Sequence, residues 1–176
     1  MSIIIGLISG LFSGVLSSII AQLILKTQKP RLNISDSIAK KAGEKGYEYR
    51  IKVVNRTHHY VKNMIIYAQL ITNINSVDGT LLKVQPISLV HKDITFIEPY
   101  NKSDDSALYA IRLRLTDNLE KLWNEDDHTY LELKIYCENE SNGSGKVFKK
   151  VYNKKSIAII EGEFKTKRSM EIAHQR

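Results

Sequence analysis

The side chains best placed to do chemistry lie in residues 40–62, where seven basic residues stand against two acidic ones. Within that stretch YEYRIKVVN (47–55) alternates. Tyr49, Ile51 and Val53 fall on one strand face, and Arg50 and Lys52 on the other. The polar connection NRTHHY (55–60) adds Arg56, His58 and His59, and Lys62 follows it. Cations on a strand face beside a polar loop suit an anion. Arg50, Lys52, Arg56, His58, His59 and Lys62 are therefore the candidate ligand-binding residues. A second basic stretch, 134–168, holds nine bases against four acids, and residues 93–132 between them hold ten acids against four bases. Tyr47, Tyr49, Tyr60 and Tyr152 interleave with the basic stretches. Lys and Arg on phosphates, with rings stacked on bases, is the pattern of single-stranded nucleic acid or nucleotide binding. The same charges also fit a solvated surface attracted to anionic lipid.

Other chemistry finds no residue set. The chain has no GxSxG, P-loop, HExxH or CxxC motif. His58 and His59 are adjacent, and neighbours on a strand point to opposite faces, so the pair suits a loop contact better than a metal. Cys137 is the single cysteine. It excludes a disulfide framework and a cysteine zinc site, and its apolar surroundings predict a reduced core thiol. Glu125, Asp126 and Asp127 read as a solvated turn. No catalytic residue, metal or cofactor is expected, and the chain is not expected to be an enzyme.

Short strands joined by turns must position the basic residues. RLNISD (31–36) alternates as a first strand, and SIAKKAGEKG (37–46) reads as a loop. VKNMIIYAQLIT (61–72) is apolar enough for a strand buried on much of both faces. An Asp-Gly turn at 78–79 leads to short strands over 81–89 and 94–98. In 107–115 Tyr109, Ile111, Leu113 and Leu115 face inward, and Arg112 and Arg114 outward. TDNLEKLW (116–123) is the one short helix, capped by Thr116 or Asp117. Leu131, Leu133, Ile135 and Cys137 face inward from the next strand. After the ENESNGSGK turn (138–146), strands over 147–152 and 156–164 close the fold, and the tail from Lys165 is polar and frayed. Eight or nine short strands and one small helix predict an all-β domain of antiparallel sheets, a sandwich or barrel.

That domain is preceded by IIIGLISGLFSGVLSSIIAQLIL (3–25), 23 residues without a charge and with Gln22 as the one strongly polar side chain. About 20 such residues span a bilayer as a helix. A cleaved signal peptide would need basic residues before the run and a shorter apolar core. Lys26, Lys29 and Arg31 follow it, which places the remainder in the cytoplasm by the positive-inside rule. Gly6, Gly10 and Gly14 recur every four residues, as do Ser9, Ser13 and Ser17. Small residues at that spacing permit close helix packing, so a homo-oligomer is expected. Gly6, Gly10, Gly14, Ser13 and Ser17 are the candidate helix-packing or pore residues. The division is 1–26 transmembrane helix, 27–46 linker and first strand, 47–164 cytoplasmic β-sandwich, and 165–176 polar tail. With 176 residues and a net charge of +7, one domain with an anionic partner is expected.

In the C-terminal half, SALYAIRL (106–113) precedes a helical turn. Then come YLELKIYCE (130–138), the Ser-Gly turn NGSGK (142–146), KVFKKVY (146–152) and EGEF (161–164). In strand order this resembles the cytoplasmic immunoglobulin-like sandwich of inward-rectifier potassium channels. The resemblance covers roughly residues 47–164 and implies an antiparallel immunoglobulin-like β-sandwich tethered to one N-terminal transmembrane helix, in a four-fold assembly. The chain departs from those channels in having one membrane helix, no pore helix and no Gly-Tyr-Gly filter, so potassium selectivity is not carried over. In architecture, size and charge the chain is similar to bacterial anti-phage membrane effectors, among them that of the Hailong system. This resemblance implies a tetrameric effector in the plasma membrane, and a nucleotidyltransferase partner whose single-stranded DNA oligomers hold it inactive.

The expected function is a non-enzymatic membrane effector of anti-phage defence. An oligonucleotide or nucleotide second messenger on the sandwich gates depolarisation of the membrane and cell death. The alternative is a membrane-tethered adaptor whose sandwich binds another protein.

Overall fold

The chain opens with helix α1 (Ser2–Thr27), 26 residues and about 39 Å long at 1.5 Å per residue. The computed structural model describes residues 2–27, 29–43, 46–126 and 128–174, with side chains of α1 described at Gly6 and 10–23. Glu44, Lys45 and Asp127, and the side chains of Ser9 and Lys26, lie outside the described residues. Among the described side chains of α1, at Gly6 and 10–23, none is charged. Leu11, Phe12, Val15, Leu16, Ile19, Ile20 and Leu23 are all exposed. A methyl group added at Gly6, Gly10 or Gly14 would meet nothing within 4 Å.

Two sheets follow, and the fold is all-β and sandwich-like. In the first sheet β3 (Gly46–Asn55) is central. One of its edges pairs in succession with β1 (Leu32–Ile34) and β2 (Ile38–Gly43), the other with β7 (Ala110–Leu115). β10 (Ile159–Glu161) lies parallel to β2. In the second sheet β4 (Val61–Ser76) is central. It pairs with β8 (Thr129–Asn139) on one side, and with β6 (Asp93–Ile97) and then β5 (Gly79–Ile87) on the other. β9 (Gly145–Tyr152) completes that sheet beyond β8. Helices α2 (Leu119–Leu122) and α3 (Lys155–Ala158) are single turns. β11 (Glu163–Phe164) pairs with β12 (Ile172–Ala173) in a small hairpin.

The core lies between the sheets, as the period of two in the strands requires. Ile38, Tyr49, Ile51, Val53, Leu113 and Leu115 of the first sheet meet Met64, Ile66, Leu70, Leu131, Leu133 and Ile135 of the second. Trp123 is buried there with its indole N–H donated to the Thr129 carbonyl, 3.1 Å away. Cys137 is buried, and burial pushes its thiol up to about 12, so it packs as an apolar side chain.

Several elements differ from the sequence reading. The first strand expected over 31–36 is β1, and residues 38–43, expected as a loop, form β2. Lys40 disguises this strand. It points inward yet is satisfied by Glu120 at 2.6 Å and Glu161 at 3.2 Å, both distant in sequence. β4 is buried along one face, whereas on the other Ile65 and Tyr67 are exposed and Ile71 is buried. The cap of α2 is Asn118, whose side chain accepts the Lys121 N–H, rather than Thr116 or Asp117. The strand expected over 156–164 begins as α3 and is broken at Gly162, where φ is +133°. The β10–β2 pair is parallel in an otherwise antiparallel pair of sheets. The tail after Lys165 folds back as β12 instead of fraying.

Candidate anion-binding face

Outward alternation on β3 and β7 places four cations on one sheet face. The register sets Arg50 directly across from Arg114, and Lys52 directly across from Arg112. Like charges in direct cross-strand positions cost stability, on the order of 0.2–1 kcal/mol per pair. Glu48 offsets part of this by accepting from Arg50 at 2.7 Å and Arg114 at 3.2 Å. The hydrogen bond from Arg50 first, and then the charges of both arginines, hold the Glu48 carboxyl below its usual range. Glu163 accepts from Lys41 at 2.6 Å and reaches Arg50 at 3.5 Å. Lys41, Arg50 and Arg114 thus share the Glu48 and Glu163 carboxylates.

Two recesses open on the face. One, of about 630 Å³, is lined by Arg50, Arg112 and Arg114 with His91, Asp93 and Ile94. The other, of about 750 Å³, is lined by Lys41, Tyr47, Glu48, Arg50, Arg114 and Thr116 among others. Arg50 and Arg114 form the ridge between them and line both. Guanidinium groups at such a ridge present N–H forks that match phosphate oxygens.

The C-terminal hairpin closes the far end of the face. Lys52 is only 1% exposed, and its ammonium donates to the carbonyls of Lys165 at 2.6 Å and Ser169 at 2.9 Å. Burial, with the nearby Arg112 charge, lowers the Lys52 amine to about 8. Arg112 donates to the Phe164 carbonyl at 3.2 Å. Met170 packs on a small cluster of Val54, Ala107 and Tyr109 and pins the hairpin down. Lys52 therefore anchors the strap from beneath.

The six candidate residues separate into three places. Arg50 and Lys52 share the face just described. Arg56, His58 and His59 line a recess of about 170 Å³ with Arg31, Thr57 and Asn139, and Arg56 lies 5.1 Å from the Tyr100 ring centre. Asn55, fully buried, shapes that loop by donating to the carbonyls of His59 and Glu98 and accepting from Thr57. Lys62 stands on the second sheet beside Tyr60 and Phe96, whose rings meet edge to face at 6.1 Å. Of the tyrosines expected to stack on bases, Tyr49 and Tyr152 are core residues. Tyr47 is exposed beneath Lys40, and Tyr60 is exposed. Arg112 and Arg114 complete the face and were read in the sequence only as the outward side of a strand. The signal for them was the repeat of one pattern, Arg-x-Lys on one strand and Arg-x-Arg on another. Ser13 donates to the Gly10 carbonyl at 3.1 Å within α1, and Ser17 is exposed. Among the described residues no cluster of His, Cys, Asp or Glu could hold a metal ion.

Among the described residues no helix is long and apolar enough to cross a membrane, a statement that covers α1 only through Gly6 and residues 10–23. No protein family and no curated protein matches the chain. The chain is similar to the crystal structure of the periplasmic chaperone SfaE, with a TM-score of 0.35 and 9% identity over 71% of this chain. It spans 57% of the length of that structure.

Proposed function

We propose that the chain is a non-enzymatic, membrane-anchored effector whose sandwich binds a phosphate-bearing ligand on the face formed by Arg50, Arg112 and Arg114. The observation that carries this reading is the cross-strand stacking of like charge. Arg50 opposes Arg114, and Lys52 opposes Arg112, with fewer carboxylates than cations around them. An arrangement that costs the isolated fold stability is sensible where an anion completes it. The ligand class is a single-stranded oligonucleotide or a nucleotide second messenger, in keeping with the resemblance to anti-phage membrane effectors. On that reading a nucleotidyltransferase partner makes the ligand. The ligand sets the arrangement of a tetramer in the plasma membrane, and the response is depolarisation and cell death.

The anchor belongs to the same proposal. The full run 3–25 carries no charge. A helix of that kind is either enclosed by protein or lies in lipid. The immunoglobulin-like assignment also rests here. Its support is the strand order: β2, β3 and β7 in one sheet, and β5, β4, β8 and β9 in the other.

The test is purification in mild detergent after co-expression with the gene beside it, with absorbance at 260 and 280 nm read before and after nuclease. A nuclease-sensitive excess at 260 nm on an oligomeric peak, lost in Arg50→Glu/Arg114→Glu, is the expected result. A clean protein spectrum in that co-expression would favour a membrane-tethered adaptor instead.

A further inference from the structure

Beyond Thr72 the second sheet narrows to a two-stranded arm. β4 pairs with β8 as far as Thr72–Thr129, with a last backbone hydrogen bond from the Asn73 N–H to the His128 carbonyl, and past that point residues 74–76 pair with β5 alone. A two-stranded ribbon on its own is marginally stable in water. This one carries exposed aliphatic side chains on both faces. Ile74 and Leu81 are cross-strand partners on one face, while Leu82, opposite Asn73 at the base of the arm, and Val84, opposite Ile71 where β4 still pairs with β8, lie on the other. Leu81 is 61% exposed, Leu82 60% and Val77, at the turn, 103%. Asp78 and Lys83 are the only charged residues in 73–84. Among the described residues no strand pairs with β5 on the side away from β4.

We propose that the arm is a self-assembly element that packs between two neighbouring copies of this chain in a closed ring. The proposal rests on the oligomeric part of the function proposed above and assigns its interface. The bilayer is not the occupant. β4 starts beside the loop whose Arg56 N–H bonds the Arg31 carbonyl, just after α1, and its 16 residues carry the tip about 50 Å away at 3.3 Å per residue. A single partner on one face would leave the opposite aliphatic face in water. A ring of identical copies uses both, because each heterologous contact sets one face of a copy against the other face of the next. Near-neutral composition suits self-contact, since no charged partner is called for. The exposed aliphatic surface is on the order of 400 Å² per copy, about half of the ~800 Å² per partner of a standard interface. The arm is then one part of the contact, and α1 supplies the other.

The ring predicts a specific cross-linking pattern. The full chain in mild detergent, carrying both Leu81→Cys and Leu82→Cys, should give a ladder of dimers, trimers and larger species on oxidation. Each single variant should stay uncross-linked, because its own position faces a different one on the neighbour, and Cys137 is buried. Dimers from a single variant would mean a two-fold contact and would overturn the ring. No cross-linking in any variant would overturn the arm contact altogether. Independently, Leu82→Glu and Ile74→Glu should each lower the mass read by light scattering. An unchanged mass, with Trp123 emission showing the fold intact, overturns the proposal, as does a pure wild-type chain that is monomeric. The anchor reading fails separately, by extraction of the wild-type chain from membranes with alkaline carbonate.

Discussion

Arg50 on β3 and Arg114 on β7 stand directly opposite each other, and one carboxylate, Glu48, bonds to both. Neutralising either arginine should weaken binding of a single-stranded oligonucleotide by roughly tenfold or more, the size of a lost charge-assisted hydrogen bond. The slope of log affinity against log salt should fall by about 0.7 for each cation removed. Fluorescence anisotropy between about 50 and 200 mM salt reads both. Equal affinity and slope for Arg114→Gln would move the site off this face.

Glu48→Gln should act in the opposite direction. It releases two guanidinium groups that now share one carboxylate, so oligonucleotide affinity should rise a few fold. Fold stability should fall by about 0.5–1 kcal/mol because the ion pairs are partly exposed. Chemical denaturation and anisotropy on the same variant separate the two effects.

Lys52 gives a pH signature. Its amine is lowered to about 8 in the folded chain from an ordinary 10.5, so between those values the unfolded chain binds more protons. The contribution of this group to stability therefore rises with pH from 8 to 10.5. Lys52→Met should flatten that rise. It should also speed hydrogen exchange in 165–173, since the Lys165 and Ser169 carbonyls lose their donor. Unchanged exchange there would show that Met170 alone holds the strap.

Glu132 controls the acid limb. Burial pushes its carboxyl up, but hydrogen bonds from Lys134, Lys149 and Gln69 outweigh burial and hold it at about 2. Its contribution is complete above pH 4.5 and is lost as pH falls towards 2. Glu132→Gln should cost on the order of 1–3 kcal/mol at neutral pH and shift the acid midpoint of unfolding. An acid midpoint equal to that of the wild type would count against the network.

Asn55→Ala should cost roughly 2–4 kcal/mol, because it leaves a buried loop without its donor to His59 and Glu98 and its acceptor for Thr57. Thermal unfolding measures it, and a loss below about 1 kcal/mol would mean that water replaces the side chain.

Strands whose burial follows local alternation were legible in the sequence. Leu131, Leu133, Ile135 and Cys137 are all fully buried, as their period of two required. Illegible were the elements stabilised by residues far along the chain. β2 reads as a polar loop because Lys40 lies inside it, and only Glu120 and Glu161 make that lysine acceptable. The tail reads as frayed because Lys52, the residue that holds it, lies more than a hundred positions earlier. The site was half legible for the same reason. Arg50 and Lys52 stood out in a basic stretch, whereas Arg112 and Arg114 sit in an acidic one and join them only through the β3–β7 register.

The parallel pairing of β10 with β2 joins the beginning of the sandwich to its end. During synthesis β2 leaves the ribosome well before the strand that covers its edge, which emerges more than a hundred residues later. At 5–20 residues per second that interval is roughly 10 s. Lys40 gains its first carboxylate partner only when Glu120 emerges, and its second only with Glu161 on β10 itself. The order of events is thus written into the topology: the first sheet keeps an open β2 edge until β10 has been made.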